Sequence, residues 1–515
     1  MRECTRFLMP TGWKAAPALF LFLAAVPGPG ACAVPPDEPG LSREGVTSRV
    51  PCVSDPGQTY ALYLPPSYEP SHPAPILFLL DARGRAMVPL ERFRKGAERL
   101  GIILASSCNS ASDVAEDFNG PALSAMWRDA AARLSLDGRR IYVGGFSGTA
   151  RAACGLARGA PEKFAGVIAA GGGFPAGRPP ARDVSFAFFG TVGDEDFNYY
   201  EMMDLDRLLE SLDLPHRVEV FSGGHDWMPE DLGTEALEWM MLKGSPQEDP
   251  VRGEAPADSL WNRDMVRARL LEAEGRRREA LRLWRGMERD FRDRRDVSAV
   301  SAAARRLEAS EETLREEREW EERRERETKV LEEAWRVLGS AVSPSAPTVR
   351  PAKLAGDLGI AGWRRKAAGG DSEGIAARRV LAALRVQTGF YLSREEEARG
   401  NLRGVALLLG WRRRSTPRIP GWPTASRSPR LGPAIMPGRF QPWSAPSSRG
   451  SATWNGCRGI RPSIGSVPRP GSGKSRKRWP GGGETPPPGA AASAGGPAGS
   501  VTPRASRRAR RRRCS

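Results

Sequence analysis

The chain has 515 residues, 40% of them apolar, which is enough for about two to four domains and for a sizeable core in at least one of them. Its net charge is +17, but 22 of the lysines and arginines and only one acid, Glu484, follow residue 410. The first 410 residues therefore carry a net charge of −4. Because the excess positive charge lies in a segment without a fold signature, the composition does not indicate nucleic acid as a partner.

The N-terminus has the architecture of a secretory signal peptide, with basic residues before the apolar run 18–26 and small residues up to Ala33. The apolar run is short for a membrane span, so we predict a signal peptide over 1–33, export to the periplasm or the extracellular space, and no transmembrane segment. The end of this segment also resembles a lipoprotein signal. Anchoring at Cys32 is the less favoured alternative, because Pro29 stands where an aliphatic residue is preferred.

Between residues 60 and 241, short apolar segments alternate with amphipathic ones. This alternation is typical of a mostly parallel sheet with helices on both faces. No long insertion separates the late strands, so we expect an open pocket without a large lid. The predicted strands are 60–64, 75–80, 101–106, 140–144, 166–170, 184–189 and 217–221, and the predicted helices are 88–100, 121–134, 148–158, 200–212 and 234–242.

The segment Gly145-Phe146-Ser147-Gly148-Thr149 lies between a predicted strand and a predicted helix, which is the context of a nucleophile elbow. A serine hydroxyl must be exposed and activated to attack, and the sharp turn that exposes it leaves little room for side chains two residues to either side. Gly145 meets that demand on the strand side, whereas Thr149 replaces the usual second glycine. Ser147 is the predicted nucleophile, and a simple turn serine is the alternative.

An acid and a histidine follow the serine in the chain order nucleophile, acid, base. Asp196 lies just past the predicted strand 184–189 and is the first choice for the acid, with Asp194 as the second choice. His225 comes directly after the predicted strand 217–221 and before a helix, which is true of neither other histidine. The alternatives are a solvated acidic turn and an ordinary loop histidine.

The loop after the second predicted strand stands where an oxyanion-binding amide is expected. Two amides aimed at the developing oxyanion are commonly the largest catalytic contribution, and the loss of one costs about 3 kcal/mol. We predict that the amides of Arg83 and Gly148 are these donors, with Gly84 as the alternative to Arg83. The usual His-Gly pair is replaced here by Asp81-Ala82, and an ordinary surface turn is the competing interpretation.

On the residues around Ser147, Asp196 and His225, segment 60–241 resembles the secreted bacterial esterases of the α/β-hydrolase superfamily, particularly the feruloyl esterase and poly(3-hydroxybutyrate) depolymerase-like group. The resemblance implies an α/β-hydrolase domain over about 50–245 that cleaves a small or polymeric ester through an acyl-enzyme. In this interpretation Ser147 attacks, His225 relays the proton and Asp196 holds the imidazole. Thr149 departs from the usual pattern.

No cofactor is implied by the resemblance, and the cysteine spacings contain no metal-ligand motif such as Cys-x-x-Cys, so we predict no metal. A peptidase activity uses the same three groups and stays open. The competing hypothesis, from another class, is a non-catalytic hydrolase-like domain that supports a repeat-type protein-interaction module.

The remaining residues divide into a helical region, 256–410, and a basic tail, 411–515. Segment 256–290 resembles one tetratricopeptide unit, with a generic helical hairpin as the alternative and 372–409 as a degenerate second unit, and this region is a possible site for a protein partner. The highly charged segment 305–337 is predicted to be an exposed spacer helix. The tail is rich in Gly, Pro, Ser and Arg and is predicted to be disordered, either as an out-of-frame translation or as a polyanion-binding arm.

Overall fold

A computed structural model of the chain describes residues 45–114, 116–244 and 250–415. Within these residues eight strands form one sheet. They are β1 (Gly45–Cys52), β2 (Asp55–Leu64), β3 (Ala74–Leu80), β4 (Ile103–Ser107), β5 (Leu136–Phe146), β6 (Gly166–Ala170), β7 (Ala187–Gly193) and β8 (His216–Phe221). The strand order is β1-β2-β4-β3-β5-β6-β7-β8, in which the first two pairs are antiparallel and the other pairs are parallel.

Helices cover both faces of this sheet, because its central strands are apolar on both sides. Phe78 of β3 stacks on Trp127 of one face, whereas its neighbours Leu77 and Leu79 share a core with Phe93 of the opposite face. Such doubly buried strands give continuous apolar runs in the sequence. The predicted α/β-hydrolase fold class is confirmed. The helices are α1 (Met87–Leu100), α2 (Asn119–Arg133), α3 (Gly148–Gly159), α4 (Tyr199–Ser211) and α5 (Glu230–Gly244).

The predicted strands and helices of this part are all present, although β2, β5 and α5 begin four or five residues earlier than predicted, and two further places differ. The edge strand β1 was not predicted, because its residues are irregularly buried and give no clear period of two. The predicted strand 184–189 lies too early, since β7 begins at Ala187. Val184 and Phe186 are buried in the core ahead of the strand, and their apolar character extends the pattern beyond it.

The rest of the described chain is helical and begins with a hairpin. Gly275, in the left-handed region at φ 75°, turns the chain between the first two of these helices, and the Trp284 indole donates a 2.7 Å hydrogen bond to Glu272 across them. This geometry fits a helical hairpin, and the tetratricopeptide resemblance stays a prediction. The helices are α6 (Pro250–Ala273), α7 (Arg277–Phe291), α8 (Ser298–Glu308), α9 (Glu311–Val342), α10 (Pro351–Asp357), α11 (Ile360–Ala367), α12 (Ser372–Val386), α13 (Leu392–Ala398) and α14 (Leu402–Ser415).

A buried cluster of charges fixes the hairpin to the sheet. Arg217 of β8, with a side chain only 3% exposed, donates to Asp264 of α6 at 2.6 Å and to Asp290 of α7 at 2.7 Å. Asp290 also accepts from the Trp239 indole of α5 at 2.8 Å. A buried guanidinium is tolerated only when its donors are paired, so the two helices cannot move away from β8 without exposing or orphaning these charges.

Glu235 of α5 lies at the edge of this cluster and gives it a pH dependence. Burial raises the pKa of Glu235 to about 7 from the ordinary 4.5, although the Arg217 and Arg263 guanidinium groups are both 3.5 Å away. The folded protein therefore binds this proton more tightly than the unfolded chain does. Its contribution to stability is present below pH 4.5 and is lost as the pH rises towards 7.

We expect Glu235→Gln to flatten the dependence of unfolding free energy on pH in this window, by at most about 3 kcal/mol. Glutamine has the same shape and carries no titrating proton. Urea unfolding of the wild type and the variant between pH 4.5 and 7.5 measures the difference. Parallel curves for the two proteins would rule out a shifted carboxyl at this position.

The long charged helix α9 is present, but it covers 311–342 instead of the predicted 305–337, and the interpretation of it as an exposed spacer was wrong. Trp320 is 6% exposed, its indole donates to the Tyr199 hydroxyl at 3.2 Å, and the guanidinium groups of Arg207 and Arg278 lie 4.6 and 4.1 Å from its ring centroid. Arginine stacks favourably on an indole while its outer nitrogens reach carboxylates. The charged residues of α9 thus pack against α4 along one face. In the sequence, such a charged helix has the same residue pattern as a helix that is surrounded by water.

Other predictions concern the chain ends. The predicted tail boundary at Trp411 lies too early, because α14 continues to Ser415 and Trp411 is buried at 1% exposure. Residues 1–44, with the predicted signal peptide and Cys32, and residues 416–515 lie outside the described residues, so export and the nature of the tail stay predictions. Across the described part, none of the helices combines the length and the apolar character that crossing a membrane requires.

Candidate active site

Ser147 lies at a strained turn between β5 and α3. Its backbone has φ 56° and ψ −121°, a conformation rare for a residue with a side chain, and its amide donates to the Ala170 carbonyl at 2.7 Å. A Cβ at Gly145 would collide with the backbone of Thr149 and Ala150, so the turn requires glycine at that position. The geometry of a nucleophile elbow is therefore present at the predicted position.

The structure brings the three predicted triad residues together in one hydrogen-bonded row. His225 Nε2 lies 2.9 Å from Ser147 Oγ, and its Nδ1 lies 2.9 and 2.8 Å from the two carboxylate oxygens of Asp196. Asp196 is fully buried and also accepts from the Asn198 amide at 2.8 Å. A carboxylate on Nδ1 keeps the proton on that nitrogen, which leaves Nε2 free to accept the serine proton.

Two aromatic rings hold the imidazole in place. The ring centroids of Phe146 and Phe197 lie 4.7 and 4.3 Å from that of His225, whose side chain is 10% exposed. Packing of these two rings limits rotation of the imidazole and restricts water around it. Phe146 and Phe197 belong to the same short motifs as Ser147 and Asp196, yet no sequence pattern predicts that they pack on the histidine.

Asp194, the second choice for the acid, has a different task. Its carboxylate accepts a 2.9 Å hydrogen bond from the Gly223 amide, two residues before His225. Its backbone amide donates to the Phe221 carbonyl at 2.8 Å. Asp194 therefore ties the loop after β7 to the loop after β8, whereas Asp196 reaches the histidine.

Thr149 takes the place of the usual second glycine and is fully buried. Its hydroxyl accepts from the Phe146 amide at 3.0 Å and donates to the Leu80 carbonyl at 2.5 Å. The side chain thus connects the elbow to the end of β3 and satisfies backbone groups of both. The turn at Ser147 therefore forms although Thr149, and not glycine, stands at this position.

We expect Thr149→Val to lower the free energy of unfolding by about 1–3 kcal/mol, because an isosteric methyl leaves the Phe146 amide and the Leu80 carbonyl buried without their partner. Thr149→Ser keeps the hydroxyl and is the matched control, with a smaller loss. Chemical denaturation of the three proteins makes the measurement. A serine variant as unstable as the valine variant would show that packing of the methyl group, and not the hydroxyl, matters here.

The Asp81 loop does not offer the predicted amides to the site. The Arg83 amide donates to Asp81 Oδ1 at 2.9 Å, and the Gly84 amide donates to the Asp81 carbonyl at 3.2 Å. Burial alone would raise the pKa of Asp81, but hydrogen bonds from the side chains of Arg85 and Trp227 outweigh it and hold this pKa below its ordinary range. The Arg83 amide is thus engaged by a carboxylate of its own loop, and its role as an oxyanion donor stays a prediction.

Gly148 remains as the predicted oxyanion donor that the geometry favours. It is the first residue of α3, where an amide has no partner within the helix. Ser112 lies directly over it, since a Cβ at Gly148 would come within 2.5 Å of the Ser112 Cβ. Ser112 was not predicted, because no motif marks the loop after β4.

The expectation of an open pocket without a large lid stays a prediction, but the helical region lies beside the candidate site. Residues of α12 and of the turn after it contact both the loop before Asp196 and the loop after Ser112, through Arg379 and Tyr391. These contacts come from α12 and the turn 387–391, which we call the cover. The cover belongs to the helical region, far along the chain, and is not an insertion between strands. A search of the sequence for insertions could not find it.

Comparisons with known proteins give structural likenesses only. No protein-family model and no curated protein matches the chain. The chain is similar to S-formylglutathione hydrolase from Staphylococcus aureus (14% identity, 36% of this chain and 90% of that one, TM-score 0.29) and to a ferulic acid esterase (18%, 36% and 91%, 0.28). It is also similar to Thermogutta terrifontis esterase 2 phosphonylated by sarin (14%, 41% and 98%, 0.30). Similarities at these identities concern the fold alone.

Proposed function

We propose that this protein is a serine carboxylic-ester hydrolase that works through an acyl-enzyme. The observation that carries the proposal is the continuous row Ser147–His225–Asp196, with 2.9 Å between the hydroxyl and Nε2 and 2.8 Å between Nδ1 and the carboxylate. A strained serine with a base and a buried acid aligned behind it has the arrangement required for nucleophilic catalysis. A simple turn serine would need none of these partners.

Each of the three residues has one task in this reaction. Ser147 Oγ attacks the ester carbonyl carbon while His225 Nε2 accepts its proton, and the Asp196 carboxylate stabilises the imidazolium that forms. The tetrahedral intermediate collapses as the alcohol leaves with the proton from His225. Water then attacks the acyl-serine with His225 as the base, and Ser147 recovers its proton as the acid is released.

The oxyanion would be stabilised by the Gly148 amide, because the Arg83 amide is engaged with Asp81. The absence of one donor lowers kcat by about 10²–10³ in enzymes of this kind. This observation favours the second candidate, a hydrolase-like domain without activity that supports a protein-interaction module. A slow, Ser147-dependent esterase lies between the two extremes and is what we expect.

Two measurements on the full-length protein test the proposal. Hydrolysis of p-nitrophenyl acetate should fall at least about a thousandfold in Ser147→Ala, and a fluorophosphonate probe should label the wild type and not the variant. Ser110→Ala is a matched control, since Ser110 is a buried serine whose hydroxyl donates to the Asp81 carbonyl and lies outside the row. Equal rates for the wild type and Ser147→Ala would leave the non-catalytic candidate.

A further inference from the structure

A short π-helical turn, Gln387–Tyr391, follows α12 and brings Tyr391 to the rim of the candidate active site. A π turn contains one more residue than an α turn, so it redirects the side chains that follow it, and such turns are frequent at functional sites. Tyr391 donates to Asp113 Oδ1 at 3.3 Å, although 278 residues separate them along the chain. Arg394, one turn further on, donates to the Asp113 carbonyl at 3.0 Å.

Asp113 is directly connected to the elbow. It has φ 56°, a left-handed conformation that is unusual for aspartate, and its carboxylate accepts the Ser112 hydroxyl at 2.8 Å. Ser112 in turn lies on Gly148, the predicted oxyanion donor. Ser112 thus links the contact between Tyr391 and Asp113 to Gly148, the residue that follows Ser147.

The cover also binds the loop after β7, which contains Asp194, Glu195 and Asp196. Arg379 of α12, 7% exposed, donates to the Asp194 carbonyl at 2.6 Å and forms an ion pair with Glu327 of α9 at 2.6 Å. Arg378 forms an ion pair with Glu195 at 2.6 Å. These attachments immediately precede Asp196, so α12 and its π turn are held on opposite sides of the site at once.

The other charged groups that face Tyr391 come from α3 and α4. Burial, followed by the charge of Asp113, raises the pKa of the Tyr391 phenol, and the charges of Arg151 and Glu201 act on it as well. Arg151 lies four residues after Ser147, on the same face of α3, and pairs with Glu201 in a two-pronged ion pair. The phenol therefore contacts Asp113 and lies within electrostatic reach of the Arg151–Glu201 pair.

The direction of this space relative to the ester follows from the chemistry. The leaving oxygen must face His225 Nε2 to receive its proton, so the alcohol extends on the side of His225. The acyl substituent extends on the other side of Ser147, where Ser112 and Asp113 lie, because β4 and β8 are on opposite sides of β5 in the sheet. A long alkyl chain placed there would have to displace Tyr391 or desolvate the ion pair, and both cost free energy.

We propose that Tyr391 is a specificity-determining residue that closes the acyl side of the site and restricts it to esters of short-chain acids. This inference rests on the proposed esterase function. The helical region is then a part of the hydrolase site, supplied by the same chain, and not only a surface for another protein.

The test compares p-nitrophenyl acetate, butyrate and octanoate on the full-length wild type, Tyr391→Ala and Tyr391→Phe. Tyr391→Ala should raise the ratio of kcat/KM for octanoate to that for acetate at least about tenfold, because it removes the side chain that excludes several methylene groups of the octanoyl chain. Tyr391→Phe retains the ring and should leave the ratio within about threefold. Tyr391→Leu, which preserves apolar bulk, serves if the alanine variant does not fold, and should give an intermediate ratio.

Phe390→Ala is the control for a general loosening of the turn, since Phe390 packs on Tyr391 and on Arg394 within the cover. A rise with Phe390→Ala as large as with Tyr391→Ala would overturn the assignment, as would a wild type that prefers octanoate or a ratio unchanged in Tyr391→Ala. These results differ from failure of the esterase proposal, in which acetate hydrolysis would not depend on Ser147 at all.

Discussion

Replacing Asp196 by asparagine should lower kcat for p-nitrophenyl acetate by about 10⁴-fold while the protein stays folded. The buried carboxylate holds the proton on His225 Nδ1, with 2.8 Å between the nearest atoms, and faces the imidazolium that forms during attack. An asparagine amide can donate to Nδ1, which places the proton on Nε2 and removes the base from Ser147. Initial rates together with a thermal melt measure the effect.

Asp194→Asn is the matched control for this experiment. Asp194 lies in the same loop and accepts from the Gly223 amide at 2.9 Å, and an asparagine oxygen can accept the same hydrogen bond. We therefore expect kcat within about fivefold of the wild type, since Asp196 still holds the proton on His225 Nδ1. A large loss with Asp194→Asn and a small one with Asp196→Asn would reverse the assignment of the acid.

Replacing Arg217 by methionine should lower the free energy of unfolding by about 3–5 kcal/mol. Methionine fills most of the volume but leaves Asp264 and Asp290, whose side chains are fully buried, without their shared guanidinium. Asp290 keeps Lys243 at 2.7 Å, whereas Asp264 loses the guanidinium that lies 2.6 Å from its carboxylate. Guanidinium unfolding followed by circular dichroism gives the difference.

Arg267→Met is the corresponding change at a partly exposed position. Arg267 of α6 pairs with Glu219 of β8 at 2.7 Å, and its side chain is 38% exposed, so water can replace part of the lost contact and we expect a smaller loss of stability than with Arg217→Met. A similar small loss for both variants would show that α6 and α7 are held to the sheet by apolar packing alone. A larger loss for Arg217 would show that the buried charges fix their position.

The sequence was sufficient to predict the core of the site because its signals are local. The turn around Ser147, the acid two residues beyond Asp194 and the histidine after β8 each depend on a few neighbouring residues and on the strand that precedes them. A parallel sheet then brings the ends of its strands to one edge, so the chain order of nucleophile, acid and base becomes a spatial arrangement.

The Asp81 loop shows why local patterns also fail. Its position after β3 predicts an oxyanion-binding loop, but the hydrogen bond of the Arg83 amide depends on one carboxylate that folds back on its own loop. Arg85 and Trp227 hold that carboxylate in place, and Trp227 comes from the loop after β8. A contact of this kind leaves no periodic signal in either segment.

The amino-acid sequence by itself was enough to predict most of the sheet, the turn at Ser147 and the grouping of Ser147, Asp196 and His225, because apolar periodicity and turn chemistry act over a few residues. Only the tertiary structure decided that α9 packs on α4, that Arg217 joins the hairpin to β8, and that Tyr391 closes the site. These contacts join side chains from distant segments, and their formation depends on how whole helices pack, which the charges and spacings along one segment do not specify.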